Sequence, residues 1–216
     1  MKLFWTPASP FVRKVMVTAI ELDVRDRIEI CPTYWPHEWG SQTIKFDDAF
    51  IAANPIGRIP TLVTDDGVAI PESNWICEYL DCLSGVPRLL PRSGEPRWRC
   101  IRALAIADGA LEAMIARRAE TLRKGEHKSL DFIAKQRDRI ARCLDCLERE
   151  IDTIEGELSL AQISTAVACG YMDFRYPEDT WRAARPRLSR WYDAFATRSS
   201  MAQTVPAETP ERRSAQ

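Results

Sequence analysis

Between Pro60 and Leu83 the alternation of apolar and polar positions changes period, and the change predicts a strand pair followed by a helix. Thr61-Leu62-Val63-Thr64 and Val68-Ala69-Ile70 are short runs of strand formers separated by Asp65-Asp66-Gly67, which reads as a β-hairpin. Pro60 stands at the first residue of the first strand, one of the few places a sheet accepts proline. Ile76, Tyr79, Leu80 and Leu83 then fall at threes and fours, the spacing of a buried helical face. Pro71-Glu72-Ser73 opens that helix, with Ser73 as the expected N-cap. Ahead of the hairpin, Asn54-Pro55-Ile56-Gly57 is turn chemistry: a proline that fixes φ and a glycine free to take φ > 0.

The same reading extends in both directions. Lys2 to Trp5 is a short apolar strand, and Ser9-Pro10 is an N-cap followed by proline at N1, with Phe11, Val12, Val15, Met16 and Ala19 as the packed face of the helix that follows. Arg27 to Cys31 alternates like a second strand. Pro32 to Phe50 has no sustained period; a loop and a short helix over Asp47–Ala52 are expected there. Ser84-Gly85-Val86-Pro87 breaks the next helix, and the turn formers from Leu89 to Gly94 read as a linker.

Beyond the linker the pattern is helical. Arg97 to Leu122 carries an inward stripe of Ile101, Leu104, Ala105, Asp108, Leu111, Ile115 and Leu122. Asp108 is the odd member, because a buried carboxylate needs a cation or an opening to a cleft. Asp131 to Ile154 is strongly periodic and is stopped by Gly156. Ser159-Leu160-Ala161-Gln162 is a capping box that starts an almost wholly apolar central helix. A last helix begins near Arg185-Pro186, with Leu188, Trp191, Tyr192 and Phe195 facing in. The expected organisation is an α/β domain over residues 1–84, a linker over 85–93, an all-helical domain over 94–200 and a polar tail over 201–216.

Composition narrows the class of function. The chain has 216 residues, 45% of them hydrophobic, and a formal net charge of −1. It has no basic footprint for nucleic acid and no polybasic patch for a membrane surface. No apolar run approaches a membrane span, and the first residues lack the core and cleavage site of a signal peptide. A soluble, cytoplasmic protein with small-molecule or protein partners is expected. Seven cysteines, an odd number and scattered, do not suggest a disulfide framework. Cys143 and Cys146 form a C-x-x-C inside a helical pattern, and the two histidines, His37 and His127, have no ligand spacing to it. No metal site is expected.

Chemistry concentrates at Glu72-Ser73. A strand pair leading into a helix N-terminus places main-chain N–H groups and a hydroxyl where a small carboxylate could dock. The competing reading is that Ser73 only caps the helix.

The run NPIGRIPTLVTDDGVAIPESNWICEYL resembles the second half of the glutathione-binding domain of the soluble glutathione S-transferases, whose pattern is N-P-x-G-x-(V/I)-P-x-L, an acidic-Gly hairpin and (E/D)-S-x-x-I-x-x-Y-L. SPFVRKV resembles the start of the serine-type, bacterial-like members. The resemblance covers nearly the whole chain and is strongest over residues 1–20 and 54–83. It implies a thioredoxin-like α/β domain followed by an all-α helical bundle.

By the same resemblance, Pro60 is cis, the backbone of Ile59 pairs with the cysteinyl part of glutathione, and Glu72 and Ser73 hold its γ-glutamyl carboxylate. Ser9 becomes the hydroxyl that donates to the glutathione sulfur, ahead of its rivals Thr6 and Trp5. A free thiol has a pKa of about 8.5, so a hydrogen bond favouring the thiolate raises the reactive fraction at neutral pH. His37, Trp39, Gln42 and Lys45 fall in the segment that covers the glycyl end. Trp5, Asp108, Leu111 and Ile115 would line the place of the second substrate.

The activity implied is a glutathione transferase of detoxifying type: a homodimer with glutathione as co-substrate, attacking a small hydrophobic electrophile and needing no metal. The absence of cysteine from the loop after Trp5 argues against thiol–disulfide exchange. Alternatives are a binding or regulatory protein without turnover, or a specialised dehalogenase, ether-cleaving enzyme or isomerase. The S-S-C-x-W-R type loop of the maleylacetoacetate isomerases is absent, since the chain has TPASPFVRK.

Overall fold

The computed structural model describes residues 1–33, 48–83, 85–123 and 125–208. The chain divides into two compact units: Met1–Val86 with the segment from Thr204 onward, and Pro87–Gln203.

The first unit is built on a four-stranded sheet of β1 (Lys2–Trp5), β2 (Glu29–Pro32), β3 (Thr61–Val63) and β4 (Ala69–Pro71), in the order β2-β1-β3-β4. β1 and β2 are parallel and are joined through helix α1 (Pro10–Glu21), as a parallel crossover requires. β3 runs antiparallel to both β1 and β4, with Phe4 opposite Thr61 and Thr61 opposite Pro71. The remaining helices are α2 (Asp48–Ala53) and α3 (Ser73–Cys82).

α1 starts where the sequence expects: Ser9 Oγ accepts from the Val12 N–H at 3.3 Å, and Pro10 occupies N1. The hairpin turn closes through Thr64 N–H to the Val68 carbonyl at 2.9 Å, and Gly67 takes φ 85°, a conformation L side chains rarely adopt. Leu3, Val12, Val15, Phe50, Leu62, Ile76 and Leu80 are buried and form the apolar centre.

Three local expectations need correction. β2 begins at Glu29 because Arg25–Arg27 wind into a 3₁₀ turn, closed by the Ile28 N–H on the Arg25 carbonyl and by Arg25 Nη1 on the Ile28 carbonyl. α2 lies one residue beyond the expected Asp47–Ala52. The N-cap of α3 is Glu72, not Ser73: Glu72 takes φ 74°, outside the helix, and its carboxylate accepts from the Asn74 N–H at 3.1 Å.

The second unit comprises α4 (Gly94–Thr121), α5 (Leu130–Arg149), α6 (Ile151–Ile154), α7 (Leu160–Arg175), α8 (Pro186–Ala196) and α9 (Ser199–Ala202). α7 is its centre, with every residue from Leu160 to Met172 buried. The expected α4 stripe is shifted: Ala105 and Leu122 are exposed, whereas Ala103, Ala107, Ala110 and Ala113 are buried with Leu104, Leu111 and Met114. Small side chains allow close helix approach, and the sequence stripe underweighted alanine for its low hydrophobicity.

The expected single helix to Ile154 divides at Glu150, which leaves helical geometry at φ −98°, ψ 11°. The Gln162 amide, expected to close a capping box, instead donates from Nε2 to the Ile154 carbonyl at 2.6 Å. The start of α8 is capped from a distance, since the Glu148 carboxylate on α5 accepts from the Arg187 and Leu188 N–H groups at 3.2 and 2.6 Å.

Residues after Ala202 do not simply trail away. Arg13 Nε donates to Thr204 Oγ1 at 3.4 Å, and the Ala207 N–H meets the Pro7 carbonyl at 3.4 Å, so the segment through Glu208 is tied to the first unit. Ser199–Ala202, placed partly in the tail by sequence, is helical.

Candidate functional site

Strand register brings the sequence-singled residues of the first unit to one end of the sheet. Trp5 closes β1, Thr61 opens β3 and Pro71 closes β4, so the loop Thr6–Ser9, the Ile59–Pro60 peptide and the start of α3 emerge side by side. The Ile59–Pro60 bond is cis, and the ladder begins only at Thr61, which leaves the Ile59 backbone at the sheet end outside the strand pairing.

This loop is held from below by Asn54, which has no accessible surface. Its Nδ2 donates to the Arg58 carbonyl at 2.9 Å and to Thr61 Oγ1 at 2.8 Å, while its Oδ1 accepts from the Ile56 N–H at 3.0 Å. Thr61 Oγ1 in turn donates to the Arg58 carbonyl at 3.0 Å. Buried polar groups satisfied in this way fix a loop more firmly than apolar contact alone. The sequence showed only a turn here; the signal for more was an Asn-Pro pair, whose side chain bonds locally, next to a strand opened by Thr.

Ser9 is half-buried at the start of α1. Its oxygen accepts from Val12, and its hydroxyl hydrogen has no acceptor among the described residues. A hydroxyl carries one donor and two acceptor positions, so capping does not use up the donor. The two readings of Ser9, cap and donor, are therefore compatible. Trp5, half-buried beside it, accepts from the Thr33 N–H on its carbonyl at 2.7 Å.

At the start of α3, Glu72 is exposed and Ser73 is buried. Ser73 Oγ donates to Glu72 Oε1 at 3.1 Å, the same oxygen that accepts from Asn74. An incoming carboxylate would have to draw that hydroxyl, and the Asn74 N–H, from Glu72; the other N–H groups of the first turn are what a helix end offers an anion. His37 and Lys45, with Trp39 and Gln42, lie outside the described residues.

On the second unit, Asp108 is half-buried and its Oδ1 accepts from Ser164 Oγ at 2.6 Å, a partner that periodicity alone did not suggest. Ile115 is also half-buried. Leu111 has no accessible surface, so it offers nothing for a substrate to touch. Burial pushes the thiols of Cys31, Cys100, Cys143, Cys146 and Cys169 up, away from the reactive thiolate. Among the described residues no group of His, Cys, Asp or Glu is placed to hold a metal ion, and no helix is long and apolar enough to cross a membrane.

Comparison with known proteins decides what this arrangement is. Residues 8–83 match "Glutathione S-transferase, N-terminal domain" and residues 102–194 match "Glutathione S-transferase, C-terminal domain". The chain is 32% identical over 212 residues to the uncharacterized GST-like protein YibF of Escherichia coli (strain K12), covering 95% of this chain and 98% of that one. The chain belongs to the glutathione S-transferase family.

Solved members of the family agree in fold. A glutathione transferase family member from Pseudomonas fluorescens Pf-5, with bound glutathione, superposes with a TM-score of 0.89 at 38% identity over 96% of this chain and 99% of that one. A glutathione S-transferase from Methylobacillus flagellatus KT, with GSH bound, gives 0.81 at 29% identity over 95% and 99%. The small mixed sheet with its helices and the following helical unit are thus the thioredoxin-like and all-α parts of the glutathione transferase fold. The matched N-terminal region contains Ser9, the cis Ile59–Pro60 bond, Glu72 and Ser73.

Proposed function

We propose that this chain is a glutathione transferase, in which the first unit binds glutathione and Ser9 stabilises its thiolate. The observation that carries the reading is the state of Ser9: its oxygen is anchored by Val12 while its hydroxyl donor stays unclaimed among the described residues. A donor fixed in this way favours the charged form of a sulfur held against it, and each unit by which the bound thiol pKa falls is worth about 1.4 kcal/mol. The nucleophile is then pre-ionised and held in place, which is how positioning and activation act together.

The remaining contacts follow from chemistry. The Ile59 backbone, kept out of the ladder beside cis-Pro60, is available to pair with the peptide main chain of the ligand. Glu72 supplies a negative charge for the ligand's ammonium, and the first N–H groups of α3 at Ser73 supply donors for its carboxylate. Together they suit a zwitterionic amino-acid end. The second substrate is a small hydrophobic electrophile, and Trp5, which ends β1 just ahead of the Ser9 loop, is half-buried and keeps the exposure needed to take part in choosing it. As a working enzyme the protein is a homodimer.

The test is calorimetric titration of glutathione into wild type, Ser9→Thr and Ser9→Ala, with thiolate absorbance of the bound peptide followed against pH. Wild type should bind and ionise the thiol one to two units below its free value of about 8.5. Ser9→Ala should bind yet lose that shift, and Ser9→Thr, which keeps both cap and hydroxyl, should retain part of it. Binding with no thiol shift in wild type would favour a binding protein without turnover. No binding at millimolar glutathione would remove the transferase reading.

A further inference from the structure

Within the second unit, the connection from α6 to α7 and the end of α8 line a pocket of about 350 Å³. That volume lies in the range of small-molecule sites. Glu155, Gly156 and Gln162 stand on one side of it, and Trp191, Phe195 and Arg198 on the other.

Gln162 is only 5% exposed, and its amide is locked in one orientation. Nε2 donates to the Ile154 carbonyl at 2.6 Å and to the Gly156 carbonyl at 3.4 Å, a place the amide oxygen cannot take because it donates nothing. Oε1 accepts from no group among the described residues and is not sealed from solvent, so it opens into the pocket that Gln162 helps to line. Buried polar groups are paired as a rule, and an acceptor left over on a fixed, buried side chain calls for a donor.

The facing wall is flat and apolar. The rings of Trp191 and Phe195 lie 5.1 Å apart at 30°, Phe195 buried and Trp191 half-buried. The Arg198 guanidinium lies 5.3 Å from the centre of the Phe195 ring. Glu155, which also lines the pocket, carries the opposite charge. The two charges offset one another, which suits an uncharged occupant.

We propose that this pocket is a second binding site, for an uncharged, planar heteroaromatic molecule with a ring N–H: its face lies on Trp191 and its N–H donates to Gln162 Oε1. A ring N–H lies in the plane of its ring, so stacking and donation are made together. The site owes nothing to the glutathione reading, and either can fail without the other.

The experiment titrates benzimidazole and benzoxazole into the full chain and follows the side-chain amide resonance of Gln162 and the indole N–H of Trp191. The two probes have one shape and differ in the ring N–H, which benzoxazole replaces by oxygen. Benzimidazole should bind with a Kd of about 1 mM or tighter, within reach of a ligand of this size. Benzoxazole should bind about fivefold to tenfold more weakly, the scale of one hydrogen bond. Both should move the Trp191 signal, and benzimidazole should move the Gln162 amide far more. Ala194→Phe, at an exposed position lining the pocket, should abolish both responses.

Equal affinity for the two probes, shifts that leave out Gln162 and Trp191, or undiminished binding in Ala194→Phe each overturn the proposal, as does absence of binding by wild type. If Ala194→Phe does not fold, Trp191→Leu takes its place. Both probes should then weaken about fivefold with the preference for benzimidazole kept, and unchanged affinities would overturn the site.

Discussion

The starts of α3 and α7 look alike in sequence, each an acidic or hydroxyl residue ahead of an apolar helix, and they are finished in opposite ways. At α7 everything is closed inside the helical unit: Ser159 Oγ takes the Gln162 N–H at 3.3 Å, the Leu160 N–H meets the Leu89 carbonyl at 2.8 Å, and Gln162 turns its amide back onto Ile154. At α3 the cap is a charged, exposed residue held at φ 74°, and its carboxylate takes the Asn74 N–H at 3.1 Å. A helix end closed by buried partners is a folding element; one capped by an exposed charge at a cost in backbone strain is fitted for a ligand.

Breaking the closed end should affect stability alone. Gln162→Leu removes the donor on the buried Ile154 carbonyl and should cost about 1–3 kcal/mol in urea unfolding, with the Kd for glutathione unchanged. A matching fall in affinity would show that the two ends are coupled.

Breaking the exposed end should do the reverse. Glu72→Gly relieves a positive φ that costs a non-glycine residue about 1–3 kcal/mol, and glycine at an N-cap loses only a few tenths. Tm should hold or rise while glutathione binding weakens about tenfold through loss of the charge facing its ammonium. A lower Tm with intact binding would reverse the assignment.

The smallest effect is expected at a third helix start, that of α5. Here Ser129 caps Phe132, and the Ser129 N–H donates to Glu120 Oε1 at 2.7 Å, which holds the Glu120 carboxyl below its usual 4.5. The unfolded chain takes up that proton more readily than the folded one. The contribution is therefore complete above about pH 4.5 and lost as pH falls through the lowered folded value. Urea midpoints measured down from neutral pH should fall more steeply for wild type than for Glu120→Gln; parallel curves would remove Glu120 from the account of this closed end.

The contrast between the two ends also shows what was legible beforehand. Periodicity located the α3 helix and the hairpin before it, because alternation and three-four spacing report which face is buried. The cap of α3 was misread by one residue, since capping preferences favour serine over glutamate and cannot register a positive φ imposed by the strand that precedes it. Asn54, Lys14 and Ser164 escaped notice as well. Each is a polar side chain in a buried or half-buried network. Two of the networks are defined by partners distant in sequence, since Ser164 lies 56 positions from Asp108 and Lys14 lies 60 from Asn74. Asn54 bonds within seven positions, and it escaped because an Asn-Pro pair reads as a turn and does not announce its burial. The alanine face of α4 was missed because its burial follows from small size, not hydrophobic strength.

In the order of synthesis, the contact between Arg13 and Thr204 spans 191 positions, so the helical unit is in effect an insertion within the first. The sheet, α1 and α3 leave the ribosome long before the segment that ties down Arg13 and the Pro7 carbonyl beside Ser9. The nascent first unit must persist without its last piece until the helices are made, and long-range closure of this kind is slow. A ribosome-stalled chain ending shortly after Val86 would therefore carry every assigned glutathione contact, yet with the Ser9 loop still lacking the segment that fastens it.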